Sequence, residues 1–239
     1  MLAINAPQRP VIHAEQSLVT AILDGVYPPD STLPGERDLA ASLGVTRPTL
    51  REAMQRLARD GWLTIRHGKS TRVNDFWCEG GLNVLSTLVH CQRLPPNFVL
   101  HLLEVRLALA PAYTEAAVRH AALRVVSILA EASDLGDSAE AFAAYDWQLH
   151  RALTIASGNP VYTLILNGFT GFYEEMAQRY FAHPEARQLS RFFYTTLREA
   201  AQASDTVAAA RISRTVMQES ITLWRQAEQE HRHDEGKTL

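Results

Sequence analysis

Two groups of side chains in this sequence have the types and spacing to do chemistry. The first is basic. From Arg47 to Arg72 the chain carries seven arginines and lysines against two acids, Glu52 and Asp60, a local net charge of +5. The whole chain is −3, so everything else sums to −8. A confined basic stripe on an acidic protein suits a polyanion met over one small surface. Within it, Arg47, Arg51 and Gln55 recur at i, i+4 along one flank of a helix. "DGWLTIRHGKSTRV", Asp60 to Val73, then gathers Arg66, Lys69 and Arg72 about a polar turn that holds a glycine. β-branched and aromatic residues on both sides of "HGKS" predict a hairpin with a basic tip.

The second group lies further along the chain. Tyr173 and Tyr180 are spaced i, i+7, and Ser220 and Trp224 i, i+4. Two such helix faces can wall a cavity with apolar sides and a few hydroxyls. Plain core packing produces the same stripes, because large aromatics are mostly buried. Asp146 and His150 in "YDWQLHRA" have a metal-ligand spacing. Two ligands do not make a tight site, and we read them as a hydrogen-bonded pair without a metal. The sequence has no G-x-S-x-G, no phosphate loop and no H-E-x-x-H. No residue is assigned a catalytic role.

The elements that must position these residues follow from punctuation. His13 to Asp24 reads as a helix closed by Gly25, and "VYPPDSTLPG" breaks the chain. "ERDLAASLG" is a short helix ending at Gly44. Thr46 is the N-cap of a third helix through Arg59, with Pro48 in its first turn. Leu50, Ala53, Met54 and Leu57 share its inner face. Helix, helix, tight turn, helix and basic hairpin together predict a winged helix-turn-helix, its third helix in the major groove and its hairpin on adjacent backbone or minor groove.

From about Leu82 the signals are helical. Helices are expected at "LSTLVHCQ", at "FVLHLLEVRLALAPAYTEAAVRHA", near Leu123 to Ala132, and from Ala139 to Ser157. More follow over Val161 to Phe181, Ala186 to Ser204 and Asp205 to Gln229. "SGNP" marks Gly158 as a helix stop, Asn159 as a cap and Pro160 as a first helical residue. The expected fold is an α+β winged helix-turn-helix domain at 1–75, a linker at 76–82 marked by Gly80-Gly81, and an all-α helical bundle at 83–239 ending in the polar tail "EQEHRHDEGKTL". At 239 residues and a mean hydropathy of −0.13, with no run of about 18 apolar residues and no basic leader, the expectation is a cytoplasmic protein with no membrane partner. Cys78 and Cys91 offer no disulfide framework.

"LPGERDLAASLGVTRPTLREAMQRLARDGWLTIRHGK" resembles the DNA-binding domain of GntR-type transcription regulators. "DGWLTIRHGKSTRVNDFW", "ASGNPVYTLILNG" and "YFAHPEARQL" resemble the fatty-acid-responsive members of that family in both domains, so the likeness covers nearly the whole chain. It implies a homodimer on a double-stranded DNA operator of two-fold symmetry, released by long-chain acyl-CoA and needing no cofactor. It implies repression of fatty-acid degradation genes and activation of unsaturated fatty-acid synthesis genes. DNA contacts would come from Arg37, Arg47, Thr49, Arg51, His67, Gly68 and Lys69. Ligand contacts would come from Arg106, Tyr173, Tyr180, Ser220 and Trp224, with Met217 where those members have a glycine beside the ligand. Pro48 replaces a threonine that touches DNA, and Gln229 a lysine near the CoA phosphates. Many relatives of the helical domain hold a metal at the positions of Asp146 and His150 with two later histidines, which here are Tyr194 and Ser220. Two rival readings stand beside this one: a GntR-type sensor of a small organic acid, assisted by a metal, and an acyl-CoA hydrolase using Ser157 or Cys91 with His150.

Overall fold

The computed structural model describes residues 10–235, with side chains to residue 229. The start of the chain and residues 236–239 of the polar tail lie outside the described residues. Two compact units divide at Leu94 and Pro95.

The first unit begins with α1 (Pro10–Leu23), α2 (Glu36–Ser42) and α3 (Arg47–Asp60). Thr46 caps α3 by accepting the Thr49 backbone N–H at 3.3 Å, and Pro48 occupies the first turn, where a missing N–H is harmless. Leu50, Ala53, Met54 and Leu57 are buried, packed with Leu18, Ile22 and Leu39. The hairpin is short: β1 (Leu63–Thr64) pairs antiparallel with β2 (Arg72–Val73), Leu63 opposite Val73. The other edge of β2 is taken by residues 30–33. Val73 N–H donates to the Ser31 carbonyl at 2.8 Å and Leu33 N–H to the Thr71 carbonyl at 2.9 Å. Trp62 and Val73 are fully buried, so the hairpin is anchored at its base and free at its tip.

The stretch at 76–82, expected as a linker, belongs to this unit. It contains α4 (Phe76–Glu79), followed by α5 (Asn83–His90). Val84 and Leu88 complete the first core. Gly61, with φ at +93°, ends α3, and a Cβ on it would come within 2.6 Å of the Gly80 Cα. Two glycines therefore let two backbones touch. Gly81 N–H donates to the Asp60 carbonyl at 3.3 Å, and Asn83 Nδ2 to Asp60 Oδ1 at 3.0 Å. Gly80 serves packing, and the break between units falls instead at "LPPN", where paired prolines stop a helix.

The second unit is helical: α6 (Phe98–Ala130), α7 (Ala139–Ala156), α8 (Pro160–Asn167), α9 (Tyr173–Phe181), α10 (Pro184–Gln202) and α11 (Thr206–Glu235), with a short 3₁₀ turn at Glu131–Asp134. α6 runs through both helices expected there but breaks pitch at Ala121 (φ −150°, ψ 48°). The single helix expected over Val161 to Phe181 is interrupted between Asn167 and Tyr173, where Gly168 and Gly171 weaken the helix and Phe172 turns inward at 2 % exposure. The Gly158-Asn159-Pro160 junction is as expected: Gly158 has φ +76°, and Asn159 Oδ1 accepts the Val161 N–H at 3.0 Å. Phe142, Leu149, Leu153, Phe181, Phe193 and Leu197 form the centre of the bundle.

Candidate nucleic-acid interface and ligand cavity

α3 and the wing tip present the basic residues of the first unit to solvent. Arg47 and Arg51, one turn apart, both reach back to Glu36 at the start of α2, Arg51 at 2.7 Å and Arg47 at 3.8 Å. Exposed pairs of this kind contribute little, so either guanidinium can exchange the carboxylate for a phosphate or a base edge. Arg37 is exposed and pairs with its neighbour Asp38 at 3.0 Å. The Thr49 hydroxyl lies 2.8 Å from that of Thr46, within the cap. At the wing, Lys69 N–H donates to the Arg66 carbonyl at 3.2 Å, and Gly68 takes φ +71° in the turn. Arg66, His67 and Lys69 are exposed, and Arg66 and Lys69 have no ion pair among the described residues.

Two members of the basic stripe, Arg72 and Arg56, face structure instead, while Arg59 stays exposed beside its neighbour. Arg72 is clamped by Asp30 at 2.8 Å and Glu79 at 2.5 Å. Arg56 pairs with Glu15 and Glu52, and Arg59 with Asp60. The sequence count therefore overstates the charge available to a partner. What remains unspent is concentrated at the start of α3 and at the wing tip.

In the second unit, α6, α7 and α9 surround a cavity. Its walls include Val99, Leu102, Leu103, Leu109, Leu166, Phe169, Phe172, Met176 and Phe181, and its few polar groups come from Arg106, Tyr113, His150, Tyr173 and Tyr180. It is a slot of about 90 Å³. Arg106 on α6 donates to Asp146 Oδ1 at 2.7 Å and, from the same Nη2, to His150 Nε2. Asp146 Oδ2 accepts the Tyr173 hydroxyl at 2.6 Å, and His150 Nδ1 lies 2.6 Å from the Tyr113 hydroxyl. Asp146 and His150 are each 1 % exposed or less.

Asp146 and His150 were expected to bond to each other. They stand 3.5 Å apart, with Arg106 bridging them. Burial would raise the Asp146 carboxyl, but its neighbours, Arg106 first and His150 with it, together outweigh burial and hold Asp146 well below the usual carboxylate range. Burial would lower Arg106, but Asp146, with Tyr173 and Tyr113, together more than offset it, so Arg106 stays charged. Burial, reinforced by the Arg106 charge, pushes His150 below its ordinary value, so it is neutral at pH 7. Burial also raises Tyr113 and Tyr173, keeping both protonated.

The structure brings Arg106, Tyr173 and Tyr180 together on the cavity wall. Burial raises the Tyr180 hydroxyl to about 12, with Ser220 beside it moderating the rise. Ser220 does not line the cavity; its hydroxyl donates to the Val216 carbonyl at 2.9 Å. Met217 does not line it either. At 2 % exposure it is part of the bundle core, because the face of α11 that carries it packs inward. Trp224 borders a separate polar depression with Tyr180, His183 and Glu185, its ring centroid 6.5 Å from that of Tyr180. Sequence reasoning missed Tyr113, Phe169 and Phe172. Tyr113 had a signal: it lies seven residues after Arg106, two turns along the same face.

A basic helix and wing in one unit and a helical bundle around an apolar cavity in the other are the arrangement of a DNA-binding regulator. The comparisons with known proteins agree with that class. The model of the gntR family of bacterial regulatory proteins matches residues 11–73, and that of the FadR C-terminal domain matches residues 74–234. A fatty acid metabolism regulator protein of Shewanella sp. is 45% identical over 228 residues, covering 94% of this chain and 93% of its own. One from Edwardsiella ictaluri is 45% identical over 218 residues, 91% of each chain. Among solved structures, Lar of Listeria monocytogenes shares the fold with a TM-score of 0.51 at 17% identity, over 91% of this chain and 97% of that one. The chain belongs to the GntR family of transcription regulators, with a C-terminal domain of the FadR type.

Proposed function

We propose that this protein is a cytoplasmic regulator of fatty-acid metabolism that binds a two-fold operator as a homodimer and leaves it on taking up long-chain acyl-CoA. The proposed DNA contacts are Arg37, Arg47, Thr49, Arg51, His67, Gly68 and Lys69. The proposed effector site is the cavity bearing Arg106, Tyr173 and Tyr180, with Trp224 at its neighbouring depression. One observation carries the effector reading: a slot walled almost wholly by aliphatic and aromatic side chains, with polar groups confined to one cluster. That suits a long apolar chain carrying a single polar group.

The slot is narrow, so an acyl chain enters by parting α6 from α9. A ligand shifts a protein only toward the state it binds better, and a state with the walls parted is such a state. In its metal-assisted form the rival organic-acid reading places a metal at Asp146 and His150, and there the guanidinium of Arg106 already supplies the positive charge. Relatives named as fatty acid metabolism regulators at 45% identity support the first reading. A gel shift on a palindromic operator, titrated with acyl-CoAs from eight to eighteen carbons, tests it. Release that strengthens with chain length is the expected result. Release by small organic acids alone, abolished by chelator, would establish the rival.

A further inference from the structure

The hydrogen bonds around Arg106 fix which atom carries each proton. A guanidinium only donates. His150 Nε2, bonded to Arg106, is therefore the acceptor, and the single proton of the neutral ring sits on Nδ1. That Nδ1–H, 2.6 Å from the Tyr113 oxygen, donates to it. The hydroxyl proton of Tyr113 is then left over. No other acceptor for it is present among the described residues, and Tyr113 borders the cavity.

The same wall offers other donors, and beside them the acceptors left among the described residues are tyrosine hydroxyl oxygens. Arg106 Nε is buried without a partner. Tyr180 is protonated, and its hydroxyl makes no hydrogen bond of normal geometry. Both Asp146 oxygens are taken, one by Arg106 and one by Tyr173. A buried donor left unmatched is costly, so a ligand that completes this site brings an oxygen acceptor. The Arg106–Asp146 pair is already neutral in sum, so a carboxylate leaving water would meet no net opposite charge. A carbonyl or hydroxyl oxygen meets no such penalty.

We infer that Tyr113, oriented by His150, is a specificity residue that captures a neutral oxygen of the acyl ligand, either the thioester carbonyl or an oxygen substituent on the chain. This rests on the effector class proposed above. The test compares wild type with Tyr113→Phe for three ligands: hexadecanoyl-CoA, the thioether hexadecyl-CoA that lacks the carbonyl, and 3-hydroxyhexadecanoyl-CoA. Binding is read by calorimetry, with thermal melting to confirm that the variant folds.

If the thioester carbonyl is captured, wild type prefers hexadecanoyl-CoA to the thioether by about 5- to 10-fold, and Tyr113→Phe erases the preference. If a chain oxygen is captured, wild type prefers the 3-hydroxy ligand by a similar factor, and the same substitution erases that. A folded Tyr113→Phe that keeps every wild-type ratio would overturn the inference while leaving the effector class intact. Wild type that binds none of the three would overturn both.

Discussion

The basic face of the winged unit and the Arg106 cluster of the helical unit use the same side chain, arginine, in opposite ways. Arg47 and Arg51 are exposed and share one carboxylate from α2. Their pairing is weak and exchangeable, as a surface that must trade a carboxylate for a phosphate requires. Arg106 is held among Asp146, His150, Tyr113 and Tyr173 by contacts that span 27 to 44 residues of sequence. There the pair cannot be exchanged without leaving a charge stranded in a low dielectric. One region keeps its charges available, and the other immobilises them to organise a cavity.

The sharpest way to break that contrast is to remove one carboxylate from each region. Asp146→Ala strands the Arg106 guanidinium and is expected to lower stability by about 3–5 kcal/mol. Glu36→Gln, which frees two exposed arginines, is expected to change stability by less than about 1 kcal/mol. Urea melts of both variants check the difference, and comparable losses would dissolve it.

Acid should find the buried region first. His150 is depressed in the folded state, so the unfolded chain binds a proton more readily as pH falls below the ordinary histidine value of 6.5. Stability is therefore complete above about pH 7 and declines below it, with slope set by one proton. Asp146, also depressed, adds a second loss as pH falls below the ordinary carboxyl value of 3.8 toward its folded value. A melting profile for His150→Gln should lack the first decline. An unchanged profile would show that His150 is not held neutral by its surroundings.

Smaller effects belong to the exposed region. Arg47→Ala is expected to cost about 1–3 kcal/mol at the cognate operator and relax specificity at one base pair. Lys69→Ala is expected to weaken all sequences alike and reduce the salt slope by about one unit. Glu36→Gln is expected to tighten non-specific binding slightly, because two arginines no longer share a carboxylate. Fluorescence anisotropy across a salt series separates the three.

The winged unit was legible because its signals are local. Thr46, Pro48, Gly44 and Gly68 each act within a few residues of themselves, and the Gly158-Asn159-Pro160 junction worked for the same reason. What failed to show were partners distant in sequence. Nothing near Arg72 announces Asp30, and nothing near Asp146 announces Arg106, forty residues earlier on another helix. Met217 was placed by resemblance alone, and nothing in its neighbours along α11 says that its side chain packs into the bundle core. Gly80-Gly81 looked like a linker because small residues serve both flexible joints and close backbone contacts, and only the approach to Gly61 distinguishes them. Residues 76–90 pack with the winged unit yet fall within the sequence match of the C-terminal domain, so the two criteria for a boundary part company there.

The central claim is that the cavity between α6, α7 and α9 is where the effector acts. Ala177 lies on its wall, and Ala177→Phe fills the slot while leaving every side chain of the Arg106 cluster in place. The decisive measurement is operator affinity of this variant, confirmed as folded, with and without hexadecanoyl-CoA. The account predicts wild-type affinity for DNA and loss of release. Release at wild-type ligand concentrations would contradict it.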